Sequence, residues 1–164
     1  MSESDRPIVQ AGLLKRVGNI EPTNLTSDLD QRLLVQKTVS LLQDAAEIDL
    51  GFPFNWYLRG PYSPPLARDA YAMVSVYDQA PVRHFDEPKL ESNFQWFIGW
   101  LHPNARDARF MEILASLVFL IRRKDVYNAD QALSKMREKI PDLSMDDFRQ
   151  VWNMSKSEPA KATA

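Results

Sequence analysis

Residues 110–121, FMEILASLVFLI, leave this chain the fewest choices of fold. Phe110, Ile113, Leu114, Leu117 and Ile121 fall at helical spacing, and from Leu117 to Ile121 the segment is apolar on nearly every side. A helix without a polar face has to be wrapped by other elements, so the spacing predicts it at the centre of a helical bundle. Its longest apolar run, ILASLVFLI, is interrupted by Ser116 and falls well short of the ~20 residues that span a bilayer.

The wrapping elements are legible on either side. A first helix is predicted over 7–17, opened by Pro7 and followed by Gly18, with Ile8, Leu13, Leu14 and Val17 on its buried side. Ser27 or Asp28 is placed to cap a second helix whose apolar stripe includes Val35, Val39, Leu42 and Ala46, with Gly51 and Pro53 ending it. FNWYL, residues 54–58, is short, aromatic and bounded by turn residues, which favours a strand. PVRHFDEP, residues 81–88, is expected to be a second short strand or a plain loop. Leu66, Ala70, Met73, Val74 and Tyr77 mark a third helix from about residue 64 to 78, and Leu90, Phe94, Phe97, Ile98 and Leu101 mark a fourth. Two short helices follow the central one, the last opened by Ser144 with Asp147 in the manner of a capping box. The expected fold is mainly α: a single compact domain over 1–154, six to seven helices, and at most a small two-stranded β element near Gly60. Residues 155–164, small and polar, read as a disordered tail.

Composition narrows the chemistry. The 164 residues include no cysteine, so disulfides, thiolate metal sites and cysteine nucleophiles are excluded. His84 and His102 stand in separate segments, outside any metal-binding spacing. No phosphate-cradling glycine loop or nucleophile elbow occurs. The chain is therefore expected to need no metal or cofactor and not to be an enzyme; a hydrolase assembled from scattered groups around His84 is the least favoured alternative. Twenty Lys and Arg against 22 Asp and Glu give a net charge of −2, so no global basic field recruits nucleic acid. The outline of a helix-turn-helix is present over 129–152, but its second helix opens with Met145, Asp146 and Asp147, where carboxylates oppose phosphate contact. Arg122, Arg123 and Lys124 are accounted for by the C-terminal end of a helix dipole. MSESDRPIVQ has no basic segment followed by an apolar one, so a cytoplasmic protein with no membrane partner is expected.

The remaining singular stretch is FNWYLRGPYSPPLARDAY, residues 54–71. Gly60 and Pro61 are predicted to form a tight turn, with positive φ at Gly60, and the surrounding aromatics to plug the core. Ser63, ahead of Pro64 and Pro65, reads as a helix N-cap. Arg59 among aromatics reads as well as an outward-facing interface anchor.

An amphipathic helix, an aromatic three residues before Gly-Pro, and a helix opening soon after resemble the core motif of the Panacea domain family, the SocA-like antitoxins and GepA-type phage-associated proteins. Tyr57 stands at the aromatic position and Gly60-Pro61 at the turn. The WYLRGPYS form is similar still to uncharacterised prokaryotic relatives with WYLYGPYS-like sequences. The resemblance covers about residues 29–78. It departs from the family pattern at Val39-Ser40-Leu41, where the family carries Tyr-Leu, and at Tyr57, where Trp is usual. The resemblance implies a toxin–antitoxin or adaptor role in phage defence: binding a protein partner, a toxin or a protease system, and neutralising or delivering it by surface occlusion. The residues expected to meet such a partner are Trp56, Tyr57, Arg59, Tyr62 and Arg68, with Gly60 and Pro61 as scaffold. The alternative is a DNA-binding regulator or another nucleic-acid-associated component of a defence or mobile-element system. Oligomeric state is not legible.

Overall fold

Capping side chains set the starts of four helices in the computed structural model, which describes residues 6–159. Asp28 accepts from the Asp30 amide, Asp107 from Phe110, Asn128 from Gln131 and Ser144 from Asp147, each satisfying an otherwise orphaned N–H. Among the described residues there are seven α-helices: α1 Arg6–Val17, α2 Leu29–Asp44, α3 Pro64–Val76, α4 Pro88–Leu101, α5 Ala108–Arg122, α6 Ala129–Arg137 and α7 Met145–Ser155. Two strands, β1 Asn55–Tyr57 and β2 Gly60–Tyr62, pair antiparallel with Trp56 opposite Pro61.

The central helix is where its composition puts it. Every residue of α5 from Phe110 to Leu120 is buried, including the polar Glu112 and Ser116. α2 and α7 pack along it, α6 joins it, and β2 lies across both α2 and α5. α1 pairs with α3, which also touches α2. α4 bridges the two ends of the chain: Arg16 of α1 binds Glu91, and the Trp100 indole N–H donates to Met154 O in α7 at 3.1 Å. No helix among the described residues is long and apolar enough to cross a membrane.

Several expectations are corrected. Leu13 and Leu14 are buried as expected, but Ile8 is exposed and Val17 only half-buried, and Gln10, Ala11 and Gly12 complete the buried side of α1. Gly12 is part of that side because its missing side chain lets the 81–85 loop lie directly on the helix: a Cβ there would stand 2.5 Å from Pro81 O. The Arg83 amide donates to Gly12 O, and of the two expected alternatives the segment takes the plain loop. α2 stops at Asp44, well before Gly51: Glu47 turns the chain with a φ of 59°, the Ile48 amide folds back onto Leu42 O, and Arg122 Nε donates to the freed Asp44 O at 2.5 Å. Ser63 does occupy the N-cap of α3, but its hydroxyl makes no capping bond. Of the expected tail, Ser155 closes α7, whereas residues 160–164 lie outside the described residues, as do residues 1–5.

Candidate protein-interaction site

The hairpin of β1 and β2 is built from a run of aromatics and held by polar side chains from the bundle. Neither Leu58 nor Arg59 takes a positive φ, whereas Gly60 does, at 86°. That is the pattern of a turn closed by a glycine in the left-handed region. Gly60 and Pro61 therefore open β2, and the turn itself is Leu58 and Arg59, a correction to the expected Gly-Pro turn. Both strands are edges, where proline is tolerated.

Two neighbouring residues of α2 clasp the hairpin backbone. Lys37 Nζ donates to Arg59 O and to Pro61 O, both at 2.7 Å, reaching across either side of Gly60. Gln36 bonds Ser63 twice, donating to its carbonyl at 3.0 Å and accepting from its amide at 2.9 Å. Opposite them, Glu112 and Ser116 project from α5; a Cβ on Gly60 would meet Ser116 Oγ at 2.3 Å and lie 3.7 Å from Lys37 Nζ. Lys37 is 1% exposed. Burial brings its ammonium down from 10.5 to about 8, with the Arg59 charge acting the same way and the Glu112 carboxylate opposing. The Oγ atoms of Ser40, Ser63 and Ser116 are buried and find no protein partner.

The fold places four of the residues expected to meet a partner, Trp56, Tyr57, Arg59 and Tyr62, on the hairpin and Arg68 on α3, with unequal exposure. Trp56 stacks on Phe119 of α5, with ring centroids 5.8 Å apart, and is half-buried. Tyr57 packs edge-on against Tyr62 at 5.3 Å and stays 43% exposed. Arg59 points toward α5: its guanidinium bonds the Glu112 carboxylate at 3.2 Å, with the Arg side chain 47% and the Glu side chain 6% exposed. Arg68 is exposed on α3. Leu58, absent from the expected set, stands at the tip 81% exposed, the most exposed of the large apolar side chains in the described chain.

Lys37, Gln36, Glu112 and Ser116 were not singled out in sequence either. A signal was there: Leu33, Lys37 and Leu41 recur at four-residue spacing, as do Glu112 and Ser116 within an apolar helix, so these polar residues fall on core-facing stripes.

Elsewhere, α7 opens with exposed Asp146 and Asp147. Arg122 and Arg123 pair with Glu47 and Asp44. His84 and His102 are both exposed and lie in a loop and at the end of α4. Among the described residues no three acidic or imidazole groups converge in a way that would hold a metal ion. No family model, curated protein or solved structure matches the chain.

Proposed function

We propose that this chain is a protein-binding antitoxin-like or adaptor protein that engages its partner through the hairpin, as the resemblance of residues 29–78 to Panacea-type domains implies. The observation that carries the reading is Leu58: a large apolar side chain left in water beside Tyr57, on a turn whose Arg59 carbonyl, with that of Pro61 just beyond, is fixed by a buried lysine. Exposing an apolar side chain forgoes about 1.5–3 kcal/mol of burial, and a clasped backbone loses little further freedom on association. Both favour a contact anchor over a mobile loop. Occlusion of the partner's working surface needs no cofactor.

The test is reconstitution. A tagged chain is used to isolate partners from its host, each candidate is purified, and binding is remeasured from pure components with wild type and Leu58→Asp. One partner should bind wild type and lose most of its affinity for Leu58→Asp at an unchanged melting temperature, and coexpression of wild type should relieve any growth arrest that partner causes. Binding that survives Leu58→Asp, or the absence of any reconstitutable partner, overturns the reading.

A further inference from the structure

Beside the hairpin, α2 and α3 enclose a groove of about 210 Å³. Leu29 and Leu33 form one wall, Ala67 and Tyr71 the other, and Tyr62 of β2 closes the end toward the tip. Leu29 and Tyr71 are exposed at its mouth. The groove is below the roughly 300–1,000 Å³ of sites that enclose small organic ligands, and suits a side chain of a larger molecule.

Its charge is one-sided. Arg32 is the single ionisable group of fixed charge in the lining, which contains no carboxylate. Arg32 Nη1 is held by Leu25 O and Thr26 O, both at 3.2 Å, and the guanidinium has no acidic partner among the described residues. A guanidinium offers five N–H donors, so most of them remain for a carboxylate. Tyr62 touches Tyr57 edge-on, which makes the groove continuous with the exposed tip.

We infer that the groove is the anchor pocket for an acidic-apolar peptide segment of the partner protein: a large aliphatic or aromatic side chain enters between Leu33 and Ala67, and a nearby carboxylate pairs with Arg32. This rests on the protein-binding reading above and names the chemistry of the partner at that surface.

The probe is a phage-displayed library of random 12-residue peptides, selected on the immobilised full chain; hits are resynthesised and titrated by fluorescence anisotropy. Selected peptides should share a large apolar residue with Asp or Glu within about four positions. Ala67→Trp, which fills the groove, should weaken them at least about tenfold. Arg32→Gln should abolish the preference of a hit for its Glu form over its Gln form, and high salt should do so in part. Leu29→Asp, at an exposed position, provides a second block should Ala67→Trp lower the melting temperature. Hits without an acid, hits indifferent to both blocking variants, failure to select any peptide, or a concentration-dependent dimer dissolved by Ala67→Trp would each overturn the inference. Peptides that respond to Leu58→Asp but not to the groove variants sink the pocket and leave the hairpin reading standing. Peptides that occupy the groove when no protein partner can be reconstituted do the reverse.

Discussion

Gly60 lies against Ser116 so closely that a Cβ atom at position 60 would stand 2.3 Å from the serine Oγ. Two independent costs therefore meet at Gly60: the positive φ and the lack of space. Gly60→Ala should destabilise by about 1–3 kcal/mol from backbone strain alone, with the collision added. Removing the hydroxyl in Ser116→Ala should be close to neutral by itself, because that oxygen has no protein partner. The double variant Gly60→Ala/Ser116→Ala should recover the collision but not the strain. A urea-denaturation double-mutant cycle separates the two; strict additivity would mean that the serine simply swings away.

Lys37 gives the fold an alkaline signature. Its folded pKa, about 8, lies below its ordinary 10.5. Between these values the unfolded chain holds a proton that the folded chain has shed, so unfolding free energy from this group rises with pH, by up to on the order of 3 kcal/mol. Below pH 8 the penalty of burying the ammonium is fully present. Burial raises the Tyr77 phenol, which acts in the opposite sense above pH 10. Chemical denaturation from pH 7.5 to 9.5 should show the rise in wild type and its loss in Lys37→Met. The same variant should be less stable at pH 7.5, since Arg59 O and Pro61 O lose their donor. A wild-type slope no different from that of Lys37→Met would remove the argument.

Arg59→Ala should cost stability as well as any partner affinity. The substitution leaves the Glu112 carboxylate, 6% exposed, without its guanidinium. About 1–2 kcal/mol is expected, discounted for the half-exposed arginine. Arg59→Ala/Glu112→Gln should recover part of it. If thermal melts show Arg59→Ala at the wild-type temperature, the pair contributes only surface charge.

Arg16 and Glu91 fasten α1 to α4, with Arg16 also lying over the Phe94 ring at 4.5 Å. The Arg16 hydrogen bonds, aided by the Phe85 amide and Gln95, hold Glu91 down at about 2 against an ordinary 4.5. A lowered carboxylate contributes stability that is complete above pH 4.5 and is lost as pH falls toward 2. Glu91→Gln should flatten the acid limb of the stability profile by about 1–3 kcal/mol, the two side chains being only 10% and 17% exposed. An acid midpoint that does not move would place the acid sensitivity at other carboxylates.

What the sequence determined by itself is the local part of the fold. The helices follow from apolar spacing and from Asp28, Asp107, Asn128 and Ser144, and the interior place of α5 from its lack of a polar face, because periodicity and capping act within a few residues. The strand at 55–57 and the positive φ of Gly60 are local in the same sense. Tertiary structure decided the rest. The donor for the carbonyls on either side of Gly60 is Lys37, 22 positions from Arg59, and the partner of the half-exposed Arg59 guanidinium is Glu112, 53 positions on. At the end of α2, the donor to Asp44 O comes from Arg122, 78 positions away. Hydrophobic spacing assigns faces to helices, but it does not say which buried polar atoms meet. Each such group has to find a partner once water is excluded, and only the packed arrangement of α2, α5 and the hairpin specifies which one.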